Sequence, residues 1–207
     1  MREAQTLPKL VGSVDVIPSI QSSLLAYGLD YKPRYSVQEY TAYAPRLIEG
    51  NRAALIEHGP RHLLFQPGSI DGRHPALAEG PLWPEILSHY EPAALERDLL
   101  VLDRRQTPLG DLLQPAGAEQ AALDVPIAVD AKGGAVFLKA GLQKTLIGSL
   151  LNLVYRPPLM HMRVAYADGS EGIYRIVPAI ANAGFVVAPT ISTAKDSLLL
   201  AAGEVAT

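Results

Sequence analysis

Arg34, Gln38, Tyr40 and Tyr43, together with Asp71 and Arg73, carry the side chains from which a ligand cleft can be built. The first four belong to a crowded stretch in which Tyr31, Lys32, Arg34, Tyr35, Gln38, Glu39, Tyr40 and Tyr43 share thirteen positions, with Pro33 stiffening the path. Aromatic faces stack on the apolar surfaces of a sugar, while arginine, aspartate and glutamine pair with its hydroxyls. Each piece also has a plain structural reading. Asp71-Gly72 is a common turn dipeptide to which Arg73 can pair. Arg34 and Glu39 can form an ion pair beneath a packed loop, and half-buried tyrosines usually serve packing.

Catalytic templates find little to hold. Gly68-Ser69-Ile70-Asp71-Gly72 has the wrong spacing for a nucleophile elbow. No phosphate-binding glycine loop is present, and no D-x-D pair exists to hold a metal with a nucleotide diphosphate. His58 and His62 are four apart, but Gly59-Pro60 between them prevents a shared helical face. The sequence therefore predicts no metal and no cofactor. Asp15, Asp71 and Asp103 are the carboxylates that can converge in a hydrolase acting on a saccharide, which is the alternative enzymatic reading.

These residues need a scaffold, and composition supplies one. Of 207 residues, 48% are hydrophobic and 19% charged, enough for a sizeable core and unlike a disordered chain. The net charge of −3 and the lack of a basic stripe argue against nucleic acid as a partner. The absence of cysteine excludes disulfides and thiolate chemistry. No run approaches the roughly 20 apolar residues of a membrane span, so the chain as written reads as a soluble piece.

The first half reads as strands alternating with helices. Val14, Val16 and Ile17 form a strand ending at Pro18; Ser19 is a helix cap, Ile20, Leu24 and Tyr27 share a face, and Gly28 closes the helix. A second helix runs from Pro45 to His58, stopped by Gly59-Pro60. His62 to Phe65 is a strand, a short helix begins near Pro81, and Leu99 to Leu102 is an apolar run suited to a strand covered on both faces. A small parallel or mixed sheet in an α/β layer follows. Ligands bind such sheets beyond the carboxyl ends of the strands. That edge is expected to collect Pro18, Ser19 and Gln21, then Gln66, Ser69, Asp71 and Arg73, then Asp103, Arg104 and Arg105, with the aromatic segment folded across it.

After Arg105 the character changes. The reading divides the chain into an α/β domain over 1–105, a connector over 106–124 and a β-rich, sandwich-like domain over 125–207. Val125 to Val129, Ala135 to Leu142, Met160 to Tyr166, Ile173 to Val177 and Phe185 to Val187 are its strands, with a hairpin turn at Asp168-Gly169. One helix, carrying Leu146, Ile147, Leu150, Leu151 and Val154, packs on them.

The order of short segments carries a resemblance. GSVDVIP, Gln21, YGLDYKPR, Gln38, Tyr40 with AYAP, Asn51, IDGRHPAL and LWPEIL occur in turn. VFLKAGL, TLIGSLLNLVYRPP, ADGS, YRIVPAIANAGFVVAP and Asp196-Ser197-Leu198 follow. The pattern spans nearly the whole chain. It resembles the extracytoplasmic portion of multi-pass bacterial membrane proteins that are similar to multi-spanning (GT-C-like) lipid-linked-sugar glycosyltransferases. Tyr35 stands where such sequences often carry a second proline, and Glu39 where a small hydroxyl residue is common. The resemblance implies a periplasmic location at the cytoplasmic membrane, as part of an integral membrane protein. It further implies partnership with the membrane-embedded part of the same polypeptide, and binding or positioning of an envelope saccharide, a lipid-linked sugar or a protein partner. Transfer chemistry would then lie outside this piece.

Overall fold

The computed structural model describes residues 7–18, 20–37, 42, 44–131, 134–143 and 159–204. Its N-terminal layer is a five-stranded mixed sheet of β1 (Ser13–Ile17), β2 (Asp30–Tyr31), β3 (His62–Phe65), β4 (Tyr90–Glu96) and β5 (Leu99–Arg104), in the order β2-β1-β3-β5-β4. β1 pairs in parallel with β2 and β3, whereas β5 runs antiparallel to both β3 and β4.

Period-2 alternation sorts the strand residues onto two faces. Val14, Val16, Leu64, Leu99 and Val101 pack with Leu7 and with Leu24 of α1 (Gln21–Ala26). Ile17, Leu63, Phe65, Leu100 and Leu102 pack on the other face beneath α2 (Pro45–His58) and α3 (Trp83–His89), which contribute Leu55, Trp83 and Ile86. The apolar run at Leu99 to Leu102 is therefore covered on both sides. Trp83 meets Phe65 edge-on at 5.0 Å, and its indole N–H donates to the Ala76 carbonyl (3.1 Å).

Helix ends have local causes. Pro45 occupies the first turn of α2, where its missing N–H costs nothing. At the other end the Arg104 guanidinium donates to the carbonyls of Leu55 (3.0 Å), which also accepts from Gly59 N–H, and Ile56 (2.6 Å), one of the groups that a helix terminus leaves unpaired. Gly59 follows at the point where a Cβ would collide with Arg104 and the Tyr90 hydroxyl. Ile20 occupies the cap position of α1 and makes no side-chain cap bond; Ser19 lies outside the described residues.

The C-terminal part contains two small antiparallel sheets. β6 (Val136–Leu138) pairs with β9 (Phe185–Ala188), and β7 (Met160–Ala165) forms a hairpin with β8 (Glu171–Ile176) through a turn with Gly169 at φ 84°. Among the described residues two helices accompany them. α4 (Pro178–Ala183) precedes β9, and α5 (Ala194–Ala201) starts with a capping box between Thr193 and Asp196. Val186, Ile191, Ala194 and Leu200 enter the same apolar cluster as Leu63, Trp83 and Ile86, so the two regions share interior packing. Ile180, Ala181, Phe185 and Val187 form a further cluster with Leu77 and Ile176.

Several expectations change. β4 occupies a stretch that reads as a connector, because an edge strand exposes most of its side chains and tolerates Pro92 beside a register shift. Val125 to Val129 forms no strand; Val125, Ile127 and Val129 alternate but are all exposed within irregular backbone, with no partner strand among the described residues. α4 and α5 were missed as helices. The helix expected over 146–154 lies outside the described residues. Among the described residues no helix is long and apolar enough to cross a membrane.

Candidate functional site

The aromatic segment begins at β2 and runs as a strap along β1. Lys32 N–H donates to the Val14 carbonyl (2.9 Å), and Arg34 Nη2 donates to the Val16 carbonyl (3.0 Å). Gln21 Nε2 donates to both the Pro18 and Val37 carbonyls (3.1 and 3.0 Å), tying strap to strand end. Ser36 N–H donates to Asn51 Oδ1 of α2 (2.6 Å). The strap therefore reaches the carboxyl end of β1, as expected for residues 31–37.

Its anchor is a buried ion cluster. Arg34 Nε lies 2.8 Å from Asp15 Oδ2, and Arg34 Nη1 donates to Glu79 Oε1. All three side chains are almost inaccessible to water. Val16 N–H also donates to Asp15 Oδ1 (2.8 Å). Burial pushes the carboxyl groups of Asp15 and Glu79 above the ordinary range, and the Arg34 charge pulls both back. Glu79 adopts φ 50°, a left-handed conformation uncommon for a side-chain-bearing residue. Ala42, Ile48, Asn51, Leu77, Glu79 and Ile180 line part of a cavity of about 10 Å³ beside the cluster, room for a single water.

Asp71 and Arg73 stand in the loop after β3, docked on the C-terminal hairpin. Arg175 N–H of β8 donates to the Gly72 carbonyl (2.7 Å), and Arg175 Nη1 reaches Asp71 Oδ2 at 3.5 Å. Asp71 is exposed and Arg73 is buried, its Nη2 3.9 Å from the same carboxylate. Beside them His74 is 1% exposed, with its ring edge-on to Tyr174 (4.9 Å) and tilted against Phe185 (5.5 Å). Among the described residues neither imidazole nitrogen has a hydrogen-bond partner, and burial pushes the pKa of His74 down to about 4. Tyr174 and Tyr166 share a hydroxyl–hydroxyl bond of 2.7 Å, which, ahead of burial, raises the Tyr174 phenol to about 12.

The third set of edge residues goes elsewhere. β5 runs against β3, with His62 opposite Asp103 and Phe65 opposite Leu100. Asp103, Arg104 and Arg105 therefore sit at the opposite end of the sheet from Gln66, Asp71 and Arg73, a correction to the single edge expected from the sequence. There they line an open polar groove of about 630 Å³ with Arg61, Glu91, Gln106 and Thr107. Asp103 Oδ1 is 2.6 Å from His62 Nδ1, whose Nε2 lies 3.0 Å from the Val11 carbonyl.

Of the six residues singled out for a cleft, Arg34 is interior and committed to Asp15 and Glu79, while Asp71 and Arg73 are held together on the loop. Gln38, Tyr40 and Tyr43 lie outside the described residues, as does Glu39, the partner first considered for Arg34. Among the described residues Arg34 pairs with Asp15 and Glu79. The three candidate carboxylates do not share a place. Asp15 shares a sheet face with Leu63 and Leu102, Asp103 shares the other with His62, and Asp71 is tied to Arg175 in a loop. Among the described residues no group of histidines and carboxylates is arranged to hold a metal ion. Glu79 was missed because its partners lie 45 and 64 positions away, beyond any local pattern. Comparison of the chain with protein-family models, with curated proteins and with solved structures gives no match.

Proposed function

We propose that this chain is a non-catalytic binding or positioning domain, borne on the extracytoplasmic side of a bacterial multi-pass membrane protein. It holds an envelope saccharide, a lipid-linked sugar or a protein partner, while transfer chemistry belongs to the membrane-embedded part of the same polypeptide. The observation that carries this reading is the strap. Burying three charged side chains costs several kcal/mol per ion before their mutual attraction returns part of it. A simple connector between β2 and α2 has no need of such an anchor. A fixed presenting surface does, because ordering a loop in advance lowers the entropy lost on binding. The anchor leaves Lys32 and Tyr35 exposed, with the Tyr35 ring laid over Gly50 of α2 and 61% accessible. An ammonium and a tyrosine face are suited to hydroxyls and to the apolar face of a sugar ring.

The separation of Asp15, Asp71 and Asp103 counts against the hydrolase reading built on those three carboxylates. Two carboxyls within about 5–10 Å across a bond are what such a hydrolase requires. The leucines at 109, 112 and 113 and the alternating apolar side chains at 125–129 are exposed, apolar groups that a protein partner or the rest of the parent chain would cover.

Titration of the isotope-labelled chain with neutral oligosaccharides released from bacterial envelopes tests the saccharide arm. Saturable amide shifts confined to residues 31–37 and 66–73, lost in Tyr35→Ala, are expected. Absence of saturation with every oligosaccharide, or release of smaller sugars during the titration, would count against it.

A further inference from the structure

The groove at the opposite end of the sheet has a chemistry of its own. The guanidinium-bearing Arg61 and Arg105 share the lining of a concavity of about 630 Å³ with the carboxylates of Glu91 and Asp103, while Arg104 lines it as well but turns its guanidinium to the end of α2. That volume lies within the usual range for small-molecule sites. The cations also differ in how they are used. Arg104 is committed to the end of α2. Arg105 is braced by the Tyr90 carbonyl (3.0 Å) and by Glu91 Oε2 (2.5 Å), which fixes its plane at the groove wall.

Arg61 is the free one. Its guanidinium makes no hydrogen bond or ion pair among the described residues, yet its stem is placed. A Cβ on Gly12, which adopts φ 114°, would stand 2.8 Å from Arg61 Cδ, so the glycine opens the channel in which the stem lies. Opposite it, one carboxylate oxygen of Asp103 accepts from His62, and the Gln106 and Thr107 side chains supply further donors and acceptors. A placed but unpaired guanidinium matches a bidentate oxyanion, and a half-engaged carboxylate with neighbouring amide and hydroxyl groups matches sugar hydroxyls.

We propose that this groove binds an acidic sugar, with Arg61 pairing with its oxyanion and Asp103, Gln106 and Thr107 reading its hydroxyls. The oxyanion is a carboxylate or a phosphate, which present the same paired oxygens to arginine. The site is separate from the strap, so its test stands apart from the one above.

The experiment follows amide and arginine Nε–H resonances of the intact chain during titration with D-glucuronate, with glucose 1-phosphate and with neutral glucose. At least one of the two anions shifts Arg61, Gln106 and Thr107 saturably, and the tighter of them identifies the oxyanion. Glucose leaves these resonances in place. Arg61→Gln keeps the stem over Gly12 and weakens the anion by about tenfold or more, the usual loss when a charge-assisted pair is removed. Its thermal midpoint stays at the wild-type value, because the guanidinium holds nothing else. No saturable shift with either anion, equal shifts with glucose, or undiminished binding by Arg61→Gln would overturn the proposal.

Discussion

His74 illustrates how far a single side chain can depart from its ordinary behaviour. Its ring is sealed between Tyr174 and Phe185 without a partner for either nitrogen among the described residues, and burial holds its pKa near 4. The unfolded chain takes up this proton below about 6.5 and the native chain only below about 4. Native stability from this residue is therefore complete above the unfolded value and is lost as pH falls toward the folded one, by up to ~3 kcal/mol. Asp15 and Glu79 act in the opposite direction. Their raised carboxyl pKa values mean that the native state keeps protons longer, so their contribution declines as pH rises from the ordinary carboxylate range through the raised one. Comparing wild type with His74→Phe separates the two effects. Urea unfolding at about pH 7 and about pH 4.5 should show a larger acid loss in wild type than in the variant. Equal losses would mean that His74 is not buried in its neutral form.

At the scale of elements, the strap is the unit that sequence and structure describe most differently. Its aromatic crowding was legible, and so was the approach of residues 31–37 to the end of β1. Its anchor was not, because Asp15, Arg34 and Glu79 come from three distant segments and meet only after the sheet forms. Replacing Arg34 by methionine leaves two carboxyls buried without their cation, a change that typically destabilises by about 3–5 kcal/mol. Arg34→Met should therefore lower the urea midpoint strongly at neutral pH, and the deficit should shrink on acidification as both carboxyls take up protons. A loss that is small, or that grows in acid, would show that the cluster does not anchor the strap. Strand direction escaped the sequence for a similar reason. The run Leu99 to Leu102 declares a strand buried on both faces, but its side chains pack alike in either direction, so the antiparallel placement that carries Asp103, Arg104 and Arg105 to the far edge is invisible locally. Helix boundaries at Pro45 and Gly59-Pro60 were readable because proline and glycine act on their own backbone. The irregular stretch at 125–129 shows the converse: alternation alone makes no strand without a neighbour to pair with.

For the whole molecule, the layers are arranged so that one mixed sheet carries two polar ends with different contents. One end is closed by the strap, the buried cluster and the loop at 66–73, which packs against β8. The other is the open groove lined by arginines. Interior packing shared by Trp83, Val186 and Leu200 couples the α/β layer to the C-terminal helices. The central claim is that such a platform serves a membrane-embedded parent on the outer side of the cytoplasmic membrane. Immunoblotting of fractionated cells with antibody raised against the chain tests this most directly. The account predicts a band far above 22.2 kDa, confined to the membrane fraction and cleaved by protease added to intact spheroplasts. A band at 22.2 kDa in the soluble fraction would contradict it.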